Sequence, residues 1–336
     1  MTLPNPNSGW CFTQKICGGC NMGYTPTVTG RPGIMNSELG IGRRRWDGTE
    51  TFNNMPVKSV SNEFTESHGI DFFAQPDVIS EIVNPVADRM HDAWEMGMGM
   101  TVSVLETGTG NGILIRCLKN RLDQFDKQAS YKFYGTDKLS FRIQENQKLY
   151  PGINWQTMDN KKLLFMDLSV SNVFMRNTLH LENSIENQKQ VLSEAERVLT
   201  VDGYFTNQAF AFQTDDEVEL QKEIYNFEYG LMSKNFKSSV PNEIRPNTVD
   251  ELQKMHKDVF GNAKVLKNDY SARKMANQAT YQAAYELNEK QLNKLRGIIL
   301  AVPEDRRPNF WVSGKDIVIL SPNLIIQSKK LDGNSI

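Results

Sequence analysis

Apolar positions along this chain follow two different periods, and each change of period predicts a change of element. The stretch "DVISEIVNPVADRMHDAW" (77–94) carries its apolar residues at helical spacing. Short apolar runs of strand length follow: "TVSVLE" (101–106), "YKFYGTD" (131–137), "INWQTMD" (153–159), "SNVFMRN" (171–177) and "GYFTNQAF" (203–210). Helical stretches separate them, one reaching about Phe125 and another over "ENQKQVLSEAERVL" (186–199). Strands that alternate with helices predict βαβ units and a largely parallel sheet, so the expected class is α/β. After Phe212 the pattern turns mainly helical, with "ELQKEIYNFEYGLMSKNF" (219–236), "TVDELQKMHKDVF" (248–260) and "ATYQAAYELNEKQLNKLRGIIL" (279–300). A strand is expected at "NAKVLKN" (262–268), and "DIVILSP" (316–322) is expected to close the fold.

Neither period governs the first 60 residues. They are rich in Gly, Pro, Asn and Thr, as in "GGCNMGYTPTVTGRPG", a composition that suits an ordered arm or lid and cannot build its own core. The chain therefore divides into an arm (1–60), an α/β core (61–212) and a C-terminal part (213–336) holding helical insertions that wall a pocket, together with the last strands.

Composition narrows the partners. Lys and Arg number 38 against 40 Asp and Glu, a net charge of −2, with no long run of one sign. Such a chain carries no electrostatic footprint for nucleic acid or an acidic membrane, so a small-molecule substrate is expected, with a homodimer left open. No apolar run approaches the roughly 20 residues that span a bilayer, and "MTLPNPNSGWCF" does not read as a secretory leader, which predicts a cytoplasmic protein. Cys11, Cys17 and Cys20 are crowded at C-x5-C-x2-C spacing with no fourth ligand nearby. Reduced thiols and no metal are expected. Cys117 falls in the helix after the first strand and is expected to be inert core.

The most informative stretch is "ETGTGNG" (106–112), directly after the first strand. A dinucleotide fingerprint needs G-x-G-x-x-G, but Ile113 stands at the third glycine position; a P-loop needs Gly-Lys-Ser/Thr, which is absent. What remains is a tight turn free of side chains, where a ligand can lie against backbone at Gly108, Gly110 and Gly112. Glu106 adds a carboxylate that repels a pyrophosphate and attracts an ammonium group.

An acid followed by alternate glycines resembles the first motif of the class I S-adenosylmethionine-dependent methyltransferases, and further stretches resemble that family in order. "YGTDKLS" is similar to its second-strand end, "MDNKKLLFMDLSVSNVF" to its adenine-site run, with Leu163, Phe165, Asp167 and Ser169 matching L-P-F-x-D-x-S-F-D, and "SEAERVLTVDGYF" to E-A-x-R-V-L-x-P-G-G. Leu164, Val170, Ser171, Val201 and Asp202 depart from those patterns. The resemblance implies a Rossmann-like core with a mostly parallel seven-stranded sheet, and S-adenosylmethionine as cofactor. It implies that Glu106, Gly108, Thr109, Gly110 and Gly112 form the cofactor loop, with Asp137 on the ribose hydroxyls and Lys138 beside it. It further places Met158 on the adenine ring, Asp159 on its amino group and Asn177 at the cofactor.

Methyl transfer is an in-line displacement, so the protein chiefly positions the nucleophile and, where needed, removes its proton. The end of the fourth strand, "FMRNTLHLEN", brings Arg176, Asn177 and His180 forward as catalytic candidates; His180, with an unperturbed pKa near ~6.5, is the natural base. Each has a plainer reading, His180 packing on a neighbour and Asn177 turning the chain. Tyr24, Trp46, His68, Phe72 and Phe73 are candidates for a lid over substrate and sulfonium. Two other uses of the scaffold stay open: a cyclase of the azetidine-2-carboxylate synthase type, which releases methylthioadenosine, and a cofactor-binding pseudoenzyme.

A lid excludes water without building the core. Deleting residues 1–60 is therefore expected to leave a folded protein whose turnover falls far more than its cofactor affinity, measured by circular dichroism, titration calorimetry and steady-state kinetics. Full activity of the shortened chain would make the arm a tail.

Overall fold

A computed structural model describes residues 102–125, 131–231, 240–269, 287–314, 316–319 and 323–331. The predicted arm, the helix predicted at 77–94 and the lid candidates Tyr24, Trp46, His68, Phe72 and Phe73 lie outside the described residues, as do the first three cysteines. Within them the first strand, β1 (Val102–Thr107), is buried from Ser103 onward. A run buried on both faces belongs in the middle of a parallel sheet. Helix α1 (Ile113–Phe125), β2 (Tyr131–Asp137), α2 (Ser140–Leu149), β3 (Asn154–Thr157), β4 (Val170–Arg176), α3 (Ile185–Val198) and β5 (Leu199–Ala209) then alternate as the periodicity predicts. β1 pairs in parallel with β2 and with β4, β2 with β3, and β4 with β5.

The second half departs from the expected boundaries. Short strands β6 (Ala211–Phe212) and β7 (Asn247–Thr248) pair beside the end of β5. Helix α4 runs over Asp215–Leu231, starting before the expected position, because Thr214 Oγ1 accepts from Glu217 N at 3.2 Å and caps the first turn. Helix α5 (Val249–Phe260) is held by a capping box of Thr248 and Glu251 and stopped by Gly261 at φ 73°. After β8 (Lys264–Asp269) comes α6 (Glu289–Leu300), which starts at an Asn288–Gln291 capping box; its predicted earlier turns lie outside the described residues.

"DIVILSP" does not close the main sheet. Its strand β10 (Asp316–Ile319) pairs antiparallel with β9 (Phe310–Ser313) in a separate two-stranded ribbon. The closing strand is β11 (Asn323–Lys329), antiparallel to both β5 and β8, giving the seven-stranded order β3-β2-β1-β4-β5-β11-β8. Its Leu324, Ile325 and Ile326 are all fully buried, and alternate residues serve opposite faces. On one face Ile325 joins Val104, Phe133 and Phe174 under Ile115 and Leu118 of α1 and Ile143 of α2. On the other, Leu324 and Ile326 join Leu105, Val173 and Phe205 under α3 and α5. This is the Rossmann-like α/β fold, with β1 and β4 flanking the point where strand order reverses.

A third apolar cluster, Phe212, Val218, Ile224, Leu292, Leu295, Ile299 and Phe310 among others, belongs to α4, α6 and the β9–β10 ribbon. Glu217, buried at the start of α4, ties this layer together by accepting from Asn309 N at 3.0 Å and Asn309 Nδ2 at 2.8 Å. Among the described residues no helix is long and apolar enough to cross a membrane.

One buried histidine couples the last strands. His256 packs in one ring cluster with Phe205 and Phe260, and its Nδ1 lies 2.9 Å from Ser328 Oγ, which itself donates to the Asn262 carbonyl. Ser328 therefore accepts from His256 Nδ1, leaving Nε2 to accept from Asn207 Nδ2 at 3.3 Å. The ring is neutral, and burial pushes its pKa down to about 3. Because the unfolded chain binds the proton first, this contribution is intact above about pH 6.5 and is lost as pH falls toward 3. Urea unfolding at successive pH values is expected to lose roughly 1.4 kcal/mol per pH unit for each such histidine. His256→Gln should flatten that slope, whatever it does to stability at pH 7.

Candidate functional site

The glycine loop sits at the carboxyl ends of β1, β2 and β4. Gly108, Gly110 and Gly112 all have positive φ (61°, 55° and 69°), the left-handed region that residues with a Cβ avoid. Their surroundings differ. A Cβ on Gly108 would lie 2.4 Å from Thr178 Cγ2, and one on Gly112 would lie 2.4 Å from the Trp155 ring. Trp155 also fills the Cβ position of Gly135. At Gly110 the nearest atom is Arg142 Nη1, 3.8 Å away. Two glycines are thus required by packing, and Gly110 alone opens to space that a ligand can take.

Glu106 stands behind this loop. It is 1% exposed, and its Oε2 accepts from Thr109 Oγ1 at 2.7 Å and from Ile115 N at 3.1 Å. Burial raises its pKa, while Arg176 first, then the two hydrogen bonds and Arg116, draw it back down. The carboxyl is thereby engaged inside the protein. This corrects the expectation that Glu106 attracts a ligand ammonium; it braces the turn. Thr109 completes that brace from within the loop, its backbone N donating to the Thr136 carbonyl at 2.9 Å.

Asp137 lies on the open side. Its Oδ2 accepts from Gly110 N and its Oδ1 from Leu139 N, both at 2.9 Å, which aims the carboxylate along the edge of the Gly110 opening. Each oxygen retains a lone pair for a further donor. From α2, Asn146 Nδ2 donates to the Gly110 carbonyl at 2.8 Å, and Arg142 lies in the field of Asp137. Neither residue was singled out by sequence reasoning. Their signal is an i, i+4 polar pair on the buried side of a helix, which periodicity counts as noise.

The other expected cofactor contacts scatter. Lys138 is exposed. Met158 donates its N–H to the Asp137 carbonyl at 3.1 Å, but its side chain, 4% exposed, packs into the core with Leu105 and Leu163 instead of standing free for a ring. Asp159 is exposed and accepts from Lys161 N at 2.8 Å, closing a turn where no helix follows.

At the end of β4 the three catalytic candidates part company. Arg176 is drawn to Glu106, and burial lowers its pKa. It serves the brace, which corrects its expected place beside the reacting group. Asn177 has φ 48° and donates its N–H to the Gln208 carbonyl at 2.8 Å, a left-handed turn that asparagine tolerates. That turn brings Thr178 against Gly108, with Oγ1 3.3 Å from its carbonyl. His180 lies on a 3-10 turn (Leu179–Leu181), edge-on to Phe210 at 5.1 Å, with Nδ1 buried and unpartnered. Burial pushes its pKa down to about 4. Its turn is pinned from outside: Arg245 N donates to the His180 carbonyl at 2.8 Å, and the amide of Gln188 to the carbonyls of Leu179, Glu182 and Arg245.

Elsewhere, Arg197 of α3 donates to the carbonyls of Leu163 at 2.9 Å and Phe165 at 3.0 Å and pairs with Glu194 and Asp167. Two stretches that resemble separate family motifs are thus one clamp. The Cys117 thiol is buried and pushed up to about 12, which makes it unreactive as expected.

Comparison with known proteins agrees with this geometry. The family model for the methyltransferase domain matches residues 105–206, the span from the glycine loop through β5. The YcgJ protein of Bacillus subtilis shares the fold at 13% identity and a TM-score of 0.53, over 69% of this chain and 93% of that one. A candidate methyltransferase from Bacillus halodurans does so at 15% identity and a TM-score of 0.51, over 71% and 98%. No curated protein matches the sequence at comparable significance.

The glycines should separate on mutation. Gly112→Ala has to displace the Trp155 ring and is expected to lose about 3 kcal/mol or more of stability, whereas Gly110→Ala should lose only the about 1–2 kcal/mol of left-handed strain. Thermal and urea unfolding of the two variants check the difference.

Proposed function

We propose that this chain, whose residues 105–206 match the methyltransferase domain, is a class I S-adenosylmethionine-dependent methyltransferase that transfers the methyl group to a small-molecule metabolite. The observation that carries the reading is Gly110, the one open glycine of the loop, with the Asp137 carboxylate aimed along its edge. A vicinal diol fits there, donating to a carboxylate that is already oriented by two backbone N–H groups. The cofactor supplies a carbon activated by its sulfonium. The protein's task is to bind, to orient and to keep water out.

A small acceptor is supported by what surrounds the ends of the strands. The near-neutral charge gives no grip on nucleic acid. Beside β5 lies the layer of α4, α6 and β9–β10, with its own apolar core, where a substrate wall is expected. His180 is the proposed acceptor-side group. It is neutral through the physiological range and has a ring nitrogen left to hydrogen-bond a nucleophile, so it orients an acceptor better than it deprotonates one. Asn177 and the lid candidates Tyr24, Trp46, His68, Phe72 and Phe73 complete the proposed site.

Titration calorimetry and product analysis test this. S-adenosylmethionine is expected to bind the wild type, Gly110→Val should abolish binding, and Asp137→Ala should weaken it by about 1.5–3 kcal/mol. Incubation with small-molecule acceptors followed by mass spectrometry should yield S-adenosylhomocysteine only when an acceptor is present. Methylthioadenosine formed from cofactor alone would replace the proposal with a cyclase, and cofactor bound but never consumed would make the chain a pseudoenzyme.

A further inference from the structure

The guanidinium of Arg142 is the exception among the arginines around the sheet. Arg116, Arg197 and Arg307 each donate to backbone carbonyls, and Arg306 to a carboxylate. Arg142, half-buried in the first turn of α2, has a guanidinium that hydrogen-bonds to no described residue. Its five N–H donors are not spent on the protein and stand free for a ligand. Its surroundings indicate what that is. Nη1 is the nearest atom to the open Cβ position of Gly110, at 3.8 Å; the charge is attracted by Asp137; and the Phe141 ring lies 5.6 Å from the guanidinium carbon.

We infer that Arg142 is a cofactor-binding residue that donates to the ribose oxygens of the bound nucleoside, from the side of the opening across from Asp137. This rests on the cofactor reading above. The chemistry is complementary: each hydroxyl of a cis-diol donates its proton to the carboxylate and keeps lone pairs that accept from the guanidinium. Carboxylate and guanidinium together recognise a vicinal diol more selectively than either does alone. The pairing also disfavours a bare hydrocarbon or a 2′-deoxyribose at this place, because the guanidinium would stay unsatisfied in a partly dry site.

The test uses the full-length protein, with S-adenosylhomocysteine and its 2′-deoxy analogue as probes in titration calorimetry. Arg142→Met keeps the aliphatic stem and removes the donors. It is expected to weaken S-adenosylhomocysteine binding about tenfold or more, and the 2′-deoxy analogue by less than about threefold, with the melting temperature close to that of the wild type. Arg142→Lys keeps the charge without the fork and should recover part of the loss; it carries the same comparison if the methionine variant does not fold. Equal affinities of Arg142→Met and wild type for S-adenosylhomocysteine, or equal losses for the two probes, would overturn the inference. Failure of the wild type to bind S-adenosylhomocysteine at all would instead overturn the cofactor reading beneath it.

Discussion

Left-handed backbone at three alternate residues is the constraint on which this molecule turns. Gly108, Gly110 and Gly112 let β1 end and α1 begin within a few residues, and that turn fixes where everything else stands. The turn is held from behind by the buried Glu106, through Thr109 Oγ1 and Ile115 N. Burial raises the pKa of that carboxyl, and the positive charges of Arg176 at the end of β4 and Arg116 on α1 oppose the shift. The acid of the motif, the helix after it and the strand beside it therefore form one electrostatic unit. The ligand meets only its front face.

That unit explains why only part of the loop is free to function. Trp155, on edge strand β3, presses its ring into the places where Gly112 and Gly135 would carry side chains, and Thr178 does the same at Gly108. These contacts lock the loop between β3 and the end of β4. The residual opening, at Gly110, falls next to Asp137 and Arg142, where β2 passes into α2. Packing has in effect decided the address of the ligand. Further from the opening, Arg197 ties the stretch 163–167 to α3, and Gln188 with Arg245 N holds the turn that carries His180.

Much of this was legible in the sequence because it depends on local rules. Short apolar runs separated by helical stretches gave β1, β2 and β4 to within a residue, whereas β3 ends at Thr157 and β5 starts at Leu199, four residues before the expected run; the turn chemistry of alternate glycines gave the loop. The closing strand was missed for a physical reason: "NLIIQSK" is short, apolar on both faces and follows a run, "DIVILSP", that reads equally well as a strand. Only long-range pairing with β5 and β8 separates the two. Met158 was misjudged because sequence order shows that a residue lies near a site and not which way its side chain turns.

The sequence by itself determined the class of fold, the position of the glycine turn and the acid at the end of β2, since backbone conformation and strand order follow from local periodicity and from which residues tolerate positive φ. Only the tertiary structure decided roles within that frame. Glu106 became a brace and Arg176 its counter-charge because burial made each need the other. Arg142 keeps its donors free beside the open glycine of the loop, because among the described residues none accepts from it. Whether a charge is spent inside the protein or kept for a ligand depends on distances between residues far apart in the chain, and no local pattern records them.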